Sequence, residues 1–281
     1  MSEEKEMTFL DHLEELRWHV IRALLAVVIL TIVAFFNVEW IFTNIIFAPA
    51  SIDFPTFKYM CQLGQAIGMQ DALCVTELPF KVQSRMMTGQ FMMSITAAFV
   101  IGLVVAFPYV VAEFWAFVRP GLETKERKFS KGAVLAISFL FLLGVFFGYF
   151  LLCPMTIWFL ATYSISDVIV NEFDITSYVS TTSSLVLGCG ILFQFPVVIY
   201  FLTKVGMVTP QLMRHYRKHA IVGILVVGAV ITPSADPFSL TVISLPLYLL
   251  FEISIFTSAL VLRRKRKEEE AELKKEQAHD K

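Results

Sequence analysis

Asp11, Glu14 and Glu15 stand directly before VIRALLAVVILTIVAFF, a run beginning at Val20 that is apolar enough for a membrane. Acids are expensive there, and basic flanks are usual. Part of the charge is explained locally. Thr8 followed three residues later by Asp11 reads as a capping box that satisfies backbone N–H groups at a helix start, and Glu14 has Arg17 at i+3. Glu15 is the acid left over: one turn back stands Asp11, a like charge, and one turn on stands His19, largely neutral at pH 7. An under-paired carboxylate at a membrane surface invites a cation from elsewhere. A second set of acids lies in EFWAFVRPGLETKERKFSKG, where Trp115 and Phe117 have interfacial character, Pro120-Gly121 breaks a helix, and Glu123 and Glu126 follow amid Lys125, Arg127 and Lys128. Glu126 either neutralises its basic neighbours or stands as a second carboxylate at the same membrane face as Glu15.

Other chemistries find little support in the residues. A serine hydrolase needs an exposed Ser within reach of a His, yet all five histidines fall at or near one set of helix boundaries and no G-x-S-x-G occurs. Metal-assisted hydrolysis lacks H-E-x-x-H, and His215 and His219 bracket Tyr216, Arg217 and Lys218 with no acid between them. No enzyme activity, metal or cofactor is expected. Strongly polar groups deep in the apolar runs are few: Gln194 in CGILFQFPVV and Glu252 in LLFEISIF. Gln194 stands about ten residues, hence roughly 15 Å, from the nearer end of its span. It reads either as a functional polar group or as an interhelical hydrogen bond that holds the bundle. Internal pairing is the reading for Glu252. Together the two residues could line the path of a secondary transporter, with Pro108, Pro196 and Pro246 as interrupting prolines, although no internal repeat is found.

These residues need elements to place them. With 57% hydrophobic side chains, 27 Phe and only 17% charged residues, the chain is too apolar for a soluble domain and reads as an integral membrane protein. The net charge of −1 says nothing about nucleic acid, but the basic residues cluster at helix ends instead of forming an aromatic-studded patch, so no nucleic-acid partner is expected. Nothing like a signal-peptide cleavage site follows the first apolar run, so it is expected to remain as a span. Apolar runs at 19–38, 86–112, 132–153 and 179–203 have the roughly 20 residues a crossing requires. A fifth, near 217–232, has an unbroken core only from Ala220 to Ile231, about 18 Å of helix against a hydrocarbon layer of about 30 Å. The sixth, 238–262, follows TPSADP.

The expectation is therefore an all-α polytopic membrane protein with six transmembrane helices, the last two spans short. All of the 23 Lys and Arg except Lys58, Lys81 and Arg85 fall on one side of this arrangement, which by the positive-inside rule puts both termini in the cytoplasm. The organisation is an amphipathic segment 1–18, a membrane domain 19–262 and a charged tail 263–281. The connections are outer loops 39–84 and 154–178, inner loops 117–131 and 204–216, and an outer turn 233–237. The first outer loop is too long for a simple turn, and Trp40, Phe42, Phe47 and Phe54 suggest that it is ordered. Cys61 and Cys74 both lie in it, facing an oxidising compartment, and are either bridged or two free thiols. Cys153 and Cys189 read as small apolar packing residues. The tail RRKRKEEEAELKKEQAHDK reads as a stop-transfer flank followed by a solvated, frayed helix, in preference to a docking site for anionic lipid or a partner.

At the level of motifs, His12, Leu13, Glu15, Leu16 and Arg17 resemble the H-L-x-E-L-R signature of the twin-arginine translocase subunit family TatC. WAFVRPGLETKERK resembles that family's loop pattern W-x-F-x-x-P-x-L-x-x-x-E-R-[RK]. The resemblance continues with Ala48-Pro49, FQFPVV, TPSADPFS with its Asp236, and PLYLLFEISIF, covering about 20–260 in order. It implies the receptor core of a system in a bacterial inner membrane that moves folded proteins using the proton-motive force. Such a receptor recognises signal peptides bearing two consecutive arginines, assembles with single-span partners of the TatA/TatB type, and forms homo-oligomers in the receptor complex. The resemblance places recognition at Glu15 and Glu126, shaped by Arg17, Phe117, Pro120 and Leu122. Guanidinium pairs with carboxylate in a planar fork that lysine cannot reproduce, so two acids on separate elements test for two adjacent arginines. Many relatives carry Glu where this chain has Gln194, so hydrogen-bonding roles survive there and titrating ones do not. Glu113 and the 59–80 insertion are also unlike the family pattern.

Overall fold

Among the described residues, five stretches of helix are long and apolar enough to cross a membrane: Leu13–Phe36, Gly89–Val118, Gly132–Thr162, Ile175–Val205 and Leu240–Lys267. They come from a computed structural model that describes residues 9–68, 74–118, 130–166, 169–231 and 237–279. A sixth helix, Arg217–Ile231, has 15 residues, the short length its apolar core dictates. The chain divides into two compact units, 1–187 and 188–281.

In the first unit, α1 (Phe9–Phe36) is a helix without proline or glycine that packs along α4 (Gly89–Val118). Their contact rests on small residues. Ala98, Gly102 and Ala106 recur at i, i+4 and i+8 on α4 and are buried, with Ala98 clustered with Ala34 of α1 and Gly102 against Thr31. A Cβ at Gly102 would lie 2.6 Å from Thr31 Oγ1 and 2.7 Å from Thr31 N, so the two backbones touch there. Close approach of this kind replaces the hydrophobic drive that lipid removes. Pro108 lies inside α4 without ending it.

The segment 39–84 carries regular structure in its described residues, 39–68 and 74–84. It contains α2 (Val38–Ile41), a π-turn Phe42–Ile46, a 3₁₀ turn Ala48–Ala50, α3 (Pro55–Ile67) and a short strand β1 (Lys81–Gln83). The third long apolar helix is α5 (Ser130–Phe147), a π-turn Gly148–Leu152 and α6 (Cys153–Thr162), so helix continues to Thr162. Pro154 opens α6 instead of ending the span, since a proline is tolerated in the first turn of a helix. Prolines in these turns leave carbonyls without their helical donors, and side chains from other elements supply them. Pro49 has no N–H for Ile45 O, which accepts from the Tyr149 hydroxyl at 2.8 Å; Pro154 has none for Phe150 O, which accepts from the Thr56 hydroxyl. Tyr178 donates to Ile46 O at 2.8 Å.

Strand β1 pairs in parallel with β2 (Glu172–Asp174), a two-stranded sheet that an all-α reading did not contain. Three-residue strands are invisible to hydrophobic periodicity, and here Phe80 and Phe173 pack beside the pair with tilted rings, centroids 4.8 Å apart. The cap they belong to packs on Ala97, Ile157, Tyr178 and Val179. Cys61 and Cys74 lie 4.3 Å apart at Cα in disulfide linkage. Asp174 then opens α7 (Ile175–Leu192), accepting from Thr176 N at 2.8 Å and from Arg85 N at 3.0 Å, as an N-terminal cap should.

The second unit holds the end of α7, α8 (Phe195–Val205), α9 (Pro210–His215), α10 (Arg217–Ile231) and α11 (Pro237–His279). Gly206, at φ +88°, closes α8 with Met207 N bonding Leu202 O at 2.9 Å, and Thr209 caps α9 through Leu212 N. Ile199, Met213, Phe251 and Ile255 form the core between α8, α9 and α11, with Thr203 Oγ1 donating to Ser258 Oγ at 2.8 Å. The last span is not short. α11 passes through Pro246 and continues past the apolar run to His279, because the tail is rich in Glu, Lys and Arg, good helix formers, and has no breaker.

Candidate functional site

A polar cluster forms where the N-terminal turns of α1 meet the C-terminal turns of α4. Glu113 is the centre. His19 Nδ1 lies 2.6 Å from Glu113 Oε2, Arg22 Nε donates to the same oxygen at 3.1 Å, and the Tyr109 hydroxyl one turn back also bonds this carboxylate. The side chains of His19 and Glu113 are only 12% and 13% exposed, so the pair is removed from most solvent screening. Arg22 Nη2 also approaches His19 Nδ1 to 2.9 Å. One nitrogen cannot both donate to the acid and accept from the arginine. The shorter contact, between an imidazole nitrogen and a carboxylate oxygen, requires a proton between them, so Nδ1 is the donor and Arg22 serves Glu113. Phe117, half-buried one turn beyond Glu113, faces the His19 ring with centroids 6.3 Å apart.

Glu15 lies one turn before His19 on α1. Its side chain is half-buried, and Oε2 is shut off from solvent without a hydrogen-bond partner among the described residues. The helical neighbour that could have paired with it, His19, is turned to Glu113. Arg17 is exposed, and it makes no ion pair with Glu14 among the described residues. Thr8, Pro120, Leu122, Glu126 and Asp236 lie outside the described residues, as does the side chain of Asp11, so the capping box and the second recognition acid are not placed.

Pro49 is buried in its 3₁₀ turn and shapes the cap through Ile45, as described above. In the second unit, Gln194 is half-buried at the break between α7 and α8, where its backbone carbonyl accepts from Val197 N at 2.9 Å and Val198 N at 3.1 Å; Pro196 fixes the restart of the helix. Glu252 pairs with Arg217 Nη2 at 2.7 Å and accepts from the Tyr248 hydroxyl at 3.0 Å, tying α10 to α11.

The centre of the first cluster, Glu113, is what reading the sequence missed. A signal did exist: Tyr109 and Glu113 at i and i+4, and His19 and Arg22 at i and i+3, each put two polar groups on one face of an otherwise apolar helix. What the sequence lacked was the pairing of the two faces.

Comparison with known proteins bears on what this arrangement serves. A family model described as Sec-independent protein translocase protein (TatC) matches residues 11–246. A relative from Blattabacterium sp. subsp. Periplaneta americana, Sec-independent protein translocase protein TatC, is 39% identical over 94% of this chain and 99% of its own length. The protein of the same description from Escherichia coli K12 is 30% identical over 96% of this chain and 95% of its own. A crystal structure of a twin arginine translocase receptor, TatC, superposes with a TM-score of 0.68 at 28% identity, covering 89% of this chain and 99% of that one.

Proposed function

The chain belongs to the TatC family of Sec-independent protein translocase proteins, and from that premise we propose that it is a receptor for twin-arginine signal peptides, with Glu15 as one of the groups that read them. It is a multi-pass membrane protein of protein transport. The finer reading is a bacterial inner-membrane protein of six spans with both termini cytoplasmic. It binds the signal peptides of folded cargo at the cytoplasmic face, assembles with single-span TatA/TatB-type subunits and with further copies of itself, and moves cargo at the expense of the proton-motive force.

One observation carries the choice of Glu15. Its Oε2 is buried with no partner among the described residues, Arg17 is turned to solvent, and His19 and Arg22 are already held by Glu113. An acid so placed gains most from an incoming guanidinium, whose planar fork brings two donors at once. Glu126 is the second acid of the proposal, on the loop after α4. Phe117 supports the same end of α4, and Arg17, Pro120 and Leu122 complete the proposed rim. The alternative, a transport path lined by Gln194 and Glu252, loses its titratable group to a structural bond, since the Glu252 carboxylate is engaged by Arg217 and Tyr248.

Binding of a twin-arginine peptide to the purified protein tests the proposal. Charge-assisted contacts contribute a few kcal/mol when desolvated and under about 1 kcal/mol when wet, so Glu15→Ala or Glu126→Ala should weaken binding by a few-fold to about a hundred-fold. The wild type should prefer Arg-Arg to Lys-Lys, and the double variant should lose that preference. A double variant that keeps the wild-type margin would place the recognition site elsewhere.

A further inference from the structure

The second unit contains a cavity of about 190 Å³ between α9 and α11, in a region the proposed receptor function does not use. Arg214 and Gln211 line it from α9, and Arg263 and Arg266 from α11, together with Pro210, Ala259 and Leu262. The spacing explains the convergence. Positions 259, 262, 263 and 266 fall on one face of α11, and α9 is held against that helix by buried Met213, which packs with Phe251 and Ile255. Arg214, one residue after Met213, is thereby carried to the rim.

All three guanidinium groups are exposed, and none has an ion pair among the described residues. Three like charges around one small cavity repel one another, and the repulsion is relieved by an anion with several acceptor oxygens. A phosphate group has that chemistry, and arginine grips it bidentately. The place of the cavity narrows the source. It sits in the last turns of the crossing helix Leu240–Lys267, where LVL gives way to RRKRK, which is headgroup depth for any protein embedded through that helix. A mixed lining, three arginines together with Pro210, Ala259 and Leu262, matches a phosphodiester with a glycerol and acyl chains attached, whereas a free phosphate has no use for the apolar side chains. We propose that this cavity binds the headgroup of an anionic phospholipid, with Arg214, Arg263 and Arg266 as the phosphate-binding groups and Gln211 as a neutral donor. Basic pockets beside membrane helices are a general form of such sites.

The experiment reconstitutes the full chain in vesicles of equal phosphatidylglycerol and phosphatidylcholine, re-extracts it in mild detergent, and measures the ratio of the two lipids retained. Wild type should retain the anionic lipid in excess. Each cavity Arg→Gln change should lower the ratio about fivefold, from the roughly 1 kcal/mol that a basic residue near the surface contributes, and the triple variant R214Q/R263Q/R266Q should show no preference. The charge-matched variant R264Q/K265Q/K267Q, on residues outside the lining, should keep most of it. Equal losses in the two triple variants would reduce the effect to diffuse surface charge and overturn the site. No wild-type preference would overturn the lipid assignment. So would a thermal stabilisation by inorganic phosphate alone, in detergent, that matches the one given by phosphatidylglycerol, since the cavity would then be a site for the free anion.

Discussion

An acid in an apolar helix is tolerated when its charge is matched, and Glu113 is paired with Arg22 and hydrogen-bonded to His19. The arrangement has a consequence for Glu15 one turn away. If Glu113 is removed, the Arg22 guanidinium is released on the same helix as Glu15, where it can compete for the carboxylate that we assign to the signal peptide. Glu113→Ala should therefore weaken twin-arginine peptide binding about tenfold, within the range of coupling between neighbouring groups. Adding Arg22→Gln should recover most of the loss, because the competing cation is gone. Equilibrium binding of the peptide to the single and double variants measures both effects. If Glu113→Ala binds as the wild type does, the cluster only ties α1 to α4. At the outer end, Asp174 offers a pH test. Hydrogen bonds from the Thr176 hydroxyl, then from Thr176 N and Arg85 N, hold its carboxyl below the usual range. A depressed acid contributes stability that is complete above its unfolded pKa, about 3.9, and is lost as pH falls through the lower folded value. Melting temperature should drop on acidification below about pH 4, and less steeply in Asp174→Asn.

Elements meet here through backbone proximity more than through large side chains. Gly102 is the sharpest case: a side chain there would have to pass through Thr31 N and Cα, which lie 2.7 and 2.8 Å from the Cβ position. Because that neighbour is backbone, it cannot turn aside, and α1 must separate from α4. Gly102→Val should lower stability by at least the roughly 1–3 kcal/mol typical of overpacking. Gly223 on α10 has nothing within 4 Å of its Cβ position. Gly223→Ala should be neutral or stabilising by up to about 1 kcal/mol, from helix propensity. Thermal unfolding in one detergent, followed by circular dichroism, compares the two. Equal behaviour would mean that the α1–α4 contact is not close-packed in the membrane. The prolines follow the same logic of local need: Pro108 and Pro246 are carried inside helices, whereas Pro49 and Pro154 mark turns whose freed carbonyls are taken by Tyr149 and Thr56.

For the whole molecule, the proposed orientation puts the cap built from α3, β1 and β2 outside and the loop after α4 inside. A cysteine at Glu77 should react with a membrane-impermeant thiol reagent in intact cells, and one at Lys125 should react only after permeabilisation. In the same protein, Cys61 and Cys74 should resist alkylation until a reductant is added, as bridged residues in an oxidising compartment do. Labelling at 125 in intact cells would reverse the topology. The short α10 is compatible with a crossing only where the bilayer is locally thin, since its 15 residues span about 22 Å against about 30 Å of hydrocarbon.

Read by itself, the sequence determined the membrane class, four of the long spans and the shortness of α10, because hydropathy and length are local properties that the bilayer enforces on any helix. Its motifs carried the family, and the charge pattern along α1 already left Glu15 without a partner. Three things were decided only by tertiary structure. Glu113 sits 94 residues from His19 along the chain, and no periodicity within either helix states that the two polar faces meet. Strands β1 and β2 are three residues each and 89 positions apart between Gln83 and Glu172, too short to show a pattern and stable only as part of the packed cap. The arginines of α9 and α11 read in sequence as an ordinary basic flank, and became a cavity only when Met213 fixed α9 against α11. In each case the sequence supplies the groups, and long-range packing supplies the distance between them, on which electrostatic and hydrogen-bond energies depend.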